Sequence, residues 1–353
     1  MPVFKTTFLS IFIILSYYSV SFSQTISGLV LNENNEPVIG ASVYFDGTTL
    51  GTTTDIDGKF SLLLKNRINA TLVIRSLGYE TYQLQDFYDI PNIKIQLTPK
   101  PYQIKEVVIK KDRFSRKQKM KIFREEFLGN TKAGKSCIIQ NENDILLFYN
   151  ESNNTLYATS EKPLIVVNKH LGYTITTNLV EFNITFNQTS IKREHIKNSL
   201  FLVTTLYEDK SNSNPKYYKR RNKSYLGSAL HFFRNLSANK WGKNEFLLYN
   251  GSYPAIPSQF FTVTDSLDLK KVTIEKNIDV AFSTNNPDIK IPFLSTFNLL
   301  YKNRKQSKVV FRTNIVFIDK FGINTSPDLI QFGGEMGKKR MGDLLPFDYS
   351  VDI

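Results

Sequence analysis

Cysteine is almost missing from this chain: one of its 353 residues is Cys, at position 137. No internal disulfide can form, so the fold must rest on its core alone. Cys137 opens the apolar run Cys137-Ile138-Ile139 and reads as a packing residue, not a reactive thiol. Histidine is nearly as scarce, with three. The contexts His170-Leu-Gly-Tyr, His195-Ile-Lys-Asn and His231-Phe-Phe-Arg hold no Glu at ligand spacing, which argues against a zinc peptidase centre. There is no G-x-S-x-G nucleophile elbow. After residue 23 no segment is long and apolar enough to cross a bilayer as a helix. Residue 23 is followed directly by Gln24 and not by Cys, so a lipid anchor on a new N-terminal cysteine is not expected.

What is present begins with Lys5 and the apolar stretch "TTFLSIFIILSYYSVSFS", with small Ser21 and Ser23 before Gln24. That pattern reads as a cleaved signal peptide over residues 1–23. Export without disulfides, in an Asn-, Lys- and Ile-rich chain, points to a bacterial envelope protein in the periplasm or at the outer-membrane or cell surface. The charge is uneven. Of the net +13, residues 1–23 hold +1, residues 24–101 hold −2 and residues 102–353 hold +14. Such a bias favours an envelope protein or an anionic glycan or lipid surface as partner, and export argues against nucleic acid.

Residues 24–101 are dense in strand signals: "TISGLVL", "ASVYFDG", "KFSLLLK", "ATLVIRSLGY" and "NIKIQL", each bounded by Gly, Asn, Asp or Pro. Their spacing, without a helical period, predicts a small antiparallel sandwich. In "GTTTDIDGKFSL", Asp55 and Asp57 can bond backbone groups in a tight turn, and Gly58 supplies a positive φ. Asp-x-Asp-Gly also opens an EF-hand loop, but Asn66 stands where the bidentate acid belongs, so a turn and no calcium site is expected.

The run "ISGLVLNENNEPVIGASVYFDGTTLGTTTDIDGKFSL", with "LVIRSLGYET" after it, resembles the carboxypeptidase-regulatory-like domain of Bacteroidetes envelope proteins. Gly28, Pro37, Gly40-Ala41, Gly47-Thr48, Gly51-Thr52, Asp55, Asp57-Gly58 and Gly78-Tyr79 carry the likeness over roughly residues 25–97. The resemblance implies a transthyretin-like β-sandwich without catalytic activity of its own. "PYQIKEVVIKK" resembles the run that joins such domains to receptor plugs, but no plug or transporter barrel is expected after it.

Residues 102–129 form a basic joint. Met120, Phe123 and Phe127 make an apolar stripe on a helix expected at 113–128, ended by Gly129-Asn130 and docked on the second domain. "GNTKAGKS", Gly129 to Ser136, satisfies G-x-x-x-x-G-K-[ST], and "NIVFIDK" with Asp319 mimics its magnesium strand. The order is inverted, however: a helix precedes the loop and strands come after it, so Lys135 is not expected to hold a phosphate.

Residues 130–353 alternate strand runs such as "GYTITTNLVEFNITF" with turns at Glu151–Asn154 and Ser211–Pro215. One helix is expected in "SYLGSALHFFRNLSAN", capped by Ser224, with His231 off its apolar stripe and at the surface. Leu171-Gly172-Tyr173, Tyr225-Leu226-Gly227-Ser228 and Leu345-Pro346-Phe347-Asp348-Tyr349 resemble runs of a companion region found with this sandwich, and packing and turning are their expected roles. The fold class is mostly β: a transthyretin-like antiparallel sandwich, then a larger antiparallel β-rich domain with one or two packed helices. The expected function is a non-catalytic exported binding or structural module, with no catalytic, cofactor or metal residue assigned and no nucleotide. The alternatives are a glycan- or peptide-processing enzyme with its site in residues 130–353, beside Trp241, and an outer-membrane-inserted β protein.

Overall fold

The computed structural model describes residues 24–100, 113–277 and 294–351; residues 1–23, expected to be a signal peptide, and the "QIKEVVIKK" run lie outside them. Mostly antiparallel sheets build the chain, around three hydrophobic cores.

The sandwich has seven strands: β1 (Gln24–Leu31), β2 (Ser42–Phe45), β3 (Gly51–Thr53), β4 (Lys59–Leu64), β5 (Leu72–Arg75), β6 (Tyr82–Leu84) and β7 (Ile93–Gln96). Sheets β4-β1-β7 and β3-β2-β5-β6 face each other. Strict alternation on β4 turns Phe60, Leu62 and Leu64 inward, as the period of 2 requires. The "DIDG" turn forms as read: Asp55 Oδ1 accepts from the N–H groups of Asp57 and Lys59, and Gly58 takes φ +73°. One pairing departs from the antiparallel expectation. β1 and β7 run parallel, because the chain crosses from the second sheet back to the first before pairing.

Helix α1 (Arg116–Phe127) starts at a capping box, Ser115 with Gln118, which sets its start inside the expected 113–128 range. Phe123 and Phe127 are fully buried against Phe182, each worth about 1.5–3 kcal/mol of burial. They cover one face of a six-stranded sheet: β8 (Cys137–Ile139), β9 (Ile145–Asn150), β10 (Thr155–Ser160), β11 (Leu164–Asn168), β12 (Tyr173–Phe186) and β13 (Ile196–Asp209).

The turn expected at Ser211–Pro215 forms, and a second helix, α2 (Pro215–Tyr225), starts at its last residue and runs through a stretch to which the sequence assigned no element. Asn214 caps it and Pro215 occupies its first turn. The expected helix is therefore shorter: α3 (Ala229–Ser237) is capped by Ser228, while Ser224 sits buried in the last turn of α2 and donates to Asp343 O at 2.6 Å. His231 is likewise buried, not surface-exposed, because its partners come from outside the helix. α3 packs into the third core, which is built by the strands that follow it: β14 (Phe246–Asn250), the short exposed β15 (Tyr253–Pro254) beside it, β16 (Phe261–Ser266), β17 (Leu269–Ile274), β18 (Ser295–Tyr301), β19 (Lys305–Phe311), β20 (Ile315–Ile318) and β21 (Ile330–Gly333). They form sheets β15-β14-β18-β19-β21 and β16-β17-β20.

The three cores are stitched together. The sandwich loop 46–49 bonds to β13, to Phe347 N–H and to Asp348. Asp319 comes after β20 and accepts from Asn69 N–H at 3.0 Å, and Ile323 joins the sandwich core.

Candidate binding groove

The hairpin β12–β13 is the longest element, with 14 residues in each strand. At about 3.4 Å per residue each strand runs about 45 Å. Among the described residues β13 pairs with β12 alone, so its other side is a sheet edge. Half of that edge is occupied by the sandwich. Thr205 N–H donates to Asp46 Oδ1 at 2.7 Å, Thr205 O accepts from Gly47 N–H at 2.8 Å, and Tyr207 N–H donates to Thr48 O at 2.9 Å. Burial pushes the Asp46 carboxyl up to about 6, against the opposing pull of the bonds from Thr205 and Gly47.

The other half, from Ile196 to Phe201, lines an open groove of about 670 Å³. The opposite wall is a second sheet edge, β21, which pairs only with β19 among the described residues, continued by Met336 and Arg340. Glu126, from the last turn of α1, forms part of the lining and is 4% exposed. Its carboxylate accepts from Ser199 Oγ at 3.2 Å and from Arg340 Nη2 at 3.3 Å, and Arg193 Nε lies 3.5 Å away. With both oxygens engaged, Glu126 acts as a strut between α1, β13 and the 330–340 segment. Arg340 Nη1 donates to the carbonyls of Gly337 and Lys339 at 2.6 and 3.1 Å. Lys339 reaches Ser224 O at 3.1 Å, and its burial lowers its affinity for a proton. Four cations, Arg193, Lys197, Lys339 and Arg340, thus line the groove against one carboxylate. Phe201, Ile330 and Phe332 supply an apolar wall. This arrangement suits an extended, anionic guest.

The residues weighed from the sequence lie elsewhere and apart from one another. His231 is held by both ring nitrogens: Nδ1 accepts from Gly227 N–H at 3.2 Å and Nε2 faces Glu245 Oε2 at 3.2 Å. Burial, outweighing Glu245, pulls its pKa down to about 4, so it sits neutral with no nitrogen to spare for base catalysis. His195 bonds Ser190 and Gln188, and His170 lies among Arg220, Lys132 and Lys223. Trp241 stacks on Phe261 at 5.6 Å. Cys137 is half-buried, contacts Ala133 O, and has its thiol pushed up to about 12 by burial. No group of three His, Cys, Asp or Glu able to hold a metal occurs among the described residues, Asp55 and Asp57 included.

The phosphate-loop look-alike is a packing seam. Gly129 comes after α1, residues Lys132–Lys135 form one helical turn, and β8 comes next, so Lys135 heads no helix and is exposed to solvent. Its glycines serve a close approach: a Cβ on Gly342 would lie 2.5 Å from Gly134 Cα, and Gly342 N–H donates to Leu128 O at 3.0 Å. Asp319 is spent on backbone N–H groups of Asn69, Phe321 and Ile323. The three companion-region runs meet at the same joint. Arg221 donates to Leu171 O and Gly172 O, forks onto Asp209 and lies 3.8 Å over the Tyr173 ring. Tyr349 donates to Asn222 at 2.6 Å, and Arg234 holds the carbonyls of Phe347 and Tyr349.

The groove was beyond sequence reasoning. Its walls come from residues 126, 193–201 and 330–340, and no local motif marks them. One signal was available: Ser199 to Val203, "SLFLV", is an apolar strand run without the alternation of a half-buried strand.

No helix of the described residues is long and apolar enough to cross a membrane, which says nothing of crossing by strands. One curated relative, the TonB-dependent receptor SusC of Bacteroides thetaiotaomicron, is 42% identical over 66 residues. The match spans 18% of this chain and 6% of the receptor, so the likeness is confined to one small part of that protein. Residues 26–109 match the family model of the CarboxypepD_reg-like domain, which takes in all but the first residues of the sandwich, and the sandwich described above is a domain of that family.

Proposed function

We propose that this chain is an exported envelope protein that acts as a non-catalytic binding module, with the groove beside β13 as its binding surface. The likeness of its sandwich to a segment of a TonB-dependent receptor supports the envelope, as does the leader-like segment at residues 1–23. The strongly basic remainder supports an anionic or acidic partner.

One observation carries the reading. The edge of β13 is half closed by the sandwich and half open onto a cationic groove. The sandwich spends its 46–49 loop on holding that edge, so its role here is a buttress for the groove. Fractionation of cells carrying the tagged full chain tests the location, and capture with and without Lys197→Glu/Leu200→Asp tests the surface. The chain is expected in the periplasmic or outer-membrane fraction, with a bound envelope component that the double variant loses. Recovery in the cytoplasm, or identical capture by both chains, contradicts the proposal.

A further inference from the structure

We propose that the groove takes an extended acidic segment of a partner protein, which adds as a strand to the open half of β13. The proposal rests on the binding-module reading and names the chemistry of its partner.

Strand geometry comes first. The backbone groups of Thr205 and Tyr207 point away from β12, since they bond to the sandwich loop. Backbone direction alternates along a strand, so Val203, Phe201 and Ser199 present theirs to the same side. That side already receives extended chain: Thr48 makes a parallel bridge with Leu206. An incoming strand would continue, end to end, a pairing that the fold itself begins. Exposed edges are normally blocked by Pro, Lys or a bulge. Lys197 and the bulge near Phe186 stand at the far end; a second bulge faces Val203 and Leu202, but its extra residue, Val180, lies on β12, so β13 itself runs from Ser199 to Val203 without Pro, Lys or an inserted residue. Leu200 is 38% and Leu202 50% exposed on the outer face beside this edge.

Charge then selects the guest. Arg193, Lys197, Lys339 and Arg340 face the groove with Glu126 alone to oppose them. Arg340 holds Glu126 by Nη2, and its Nε–H is buried with no acceptor among the described residues, so the one lining carboxylate does not saturate this guanidinium. A second copy of the chain is disfavoured as the occupant, because pairing two β13 edges would oppose these cations to themselves. In a guest strand of alternating Glu and Val, one face would meet Phe332 and Met336 and the carboxylates would meet the basic residues.

The test uses the purified full chain and three capped ten-residue peptides, monitored by fluorescence anisotropy. The first alternates Glu and Val, the second alternates Lys and Val, and the third is the Glu-Val peptide N-methylated at every second residue. The Glu-Val peptide is expected to bind. The Lys-Val and N-methylated peptides are expected to bind at least about tenfold more weakly, the latter because strand pairing needs its N–H groups. Arg193→Glu/Lys197→Glu should lose about tenfold for Glu-Val, while Leu267→Asp, on the fully exposed β16–β17 turn, should bind as wild type. Equal binding of the N-methylated peptide would reveal a mere anionic surface and overturn strand addition. So would equal binding of Lys-Val, no binding of any peptide, or a dimer that Leu200→Asp dissolves. Photo-crosslinking from position 200 in intact cells separates the two readings. A crosslinked partner alongside failed peptides leaves the binding module standing and removes the strand, whereas neither signal removes both.

Discussion

The backbone N–H of Thr205 donates to the carboxylate of Asp46 across 2.7 Å, joining two residues that lie 159 positions apart. Through this bond the sandwich closes half of the β13 edge, and it places a partly buried carboxyl at the seam. Burial holds that carboxyl at about 6, above its ordinary 3.8. The folded state therefore binds this proton more tightly than the unfolded chain does. Its contribution to stability is full below about pH 3.8 and is lost as pH rises through about 6. Asp46→Asn keeps an acceptor oxygen and removes the charge. It should stabilise the protein by about 1–2 kcal/mol at pH 7.5 and have no effect at pH 4. Thermal melts of both proteins at both pH values check this; equal effects at the two would contradict it.

His231 has the opposite sign. Its folded pKa of about 4 lies below the ordinary 6.5, so its contribution is full above pH 6.5 and is lost as pH falls through about 4. His231→Gln keeps a donor and an acceptor but does not titrate. It should cost about 1–3 kcal/mol at pH 7.5 and a smaller amount at pH 4.5. Denaturant melts of wild type and variant at the two pH values give the difference, in which the Asp46 contribution cancels.

The seam at Gly129–Ser136 behaves differently from a phosphate loop. Gly342→Ala and Gly134→Ala force a methyl into backbone contact and should each cost about 1–3 kcal/mol. Lys135→Ala should change stability by less than about 0.5 kcal/mol. Isothermal calorimetry of the wild-type chain with ATP and magnesium should show no heat of binding, and a titratable signal lost in Lys135→Ala would refute the packing role.

Arg221 cannot be replaced by its shorter-reaching relative. Its fork on half-exposed Asp209, two carbonyls and the Tyr173 ring needs a planar guanidinium. Arg221→Lys should cost about 2 kcal/mol, discounted for the exposure of Asp209, as read from urea melts. A cost below about 0.5 kcal/mol would show that the joint does not depend on it.

The sandwich was legible because its determinants are local: Asp55 and Gly58 make their turn within five residues, and β4 alternates without a break. The buried face of α1 was legible for the same reason, since Met120, Phe123 and Phe127 carry their own period. Helix α2 was not, because "KYYKRRNK" has no apolar stripe; Arg221 and Tyr225 are buried by partners from elsewhere in the chain. Asn214-Pro215 was nonetheless an available start signal. His231 looked exposed because Glu245 and the Gly227 N–H, which make its burial tolerable, lie outside the helical pattern. The groove belongs to the same class, since Glu126, Ser199 and Arg340 meet only once three separate cores have packed.

The binding role of the open β13 edge is tested most directly by placing a photo-reactive residue at position 200 in the full chain in its native cell. Illumination should yield one discrete crosslinked envelope partner from position 200, lost in the presence of Arg193→Glu/Lys197→Glu, and none from the same residue at position 267. No adduct at position 200, or the same adducts from both positions, would contradict that role.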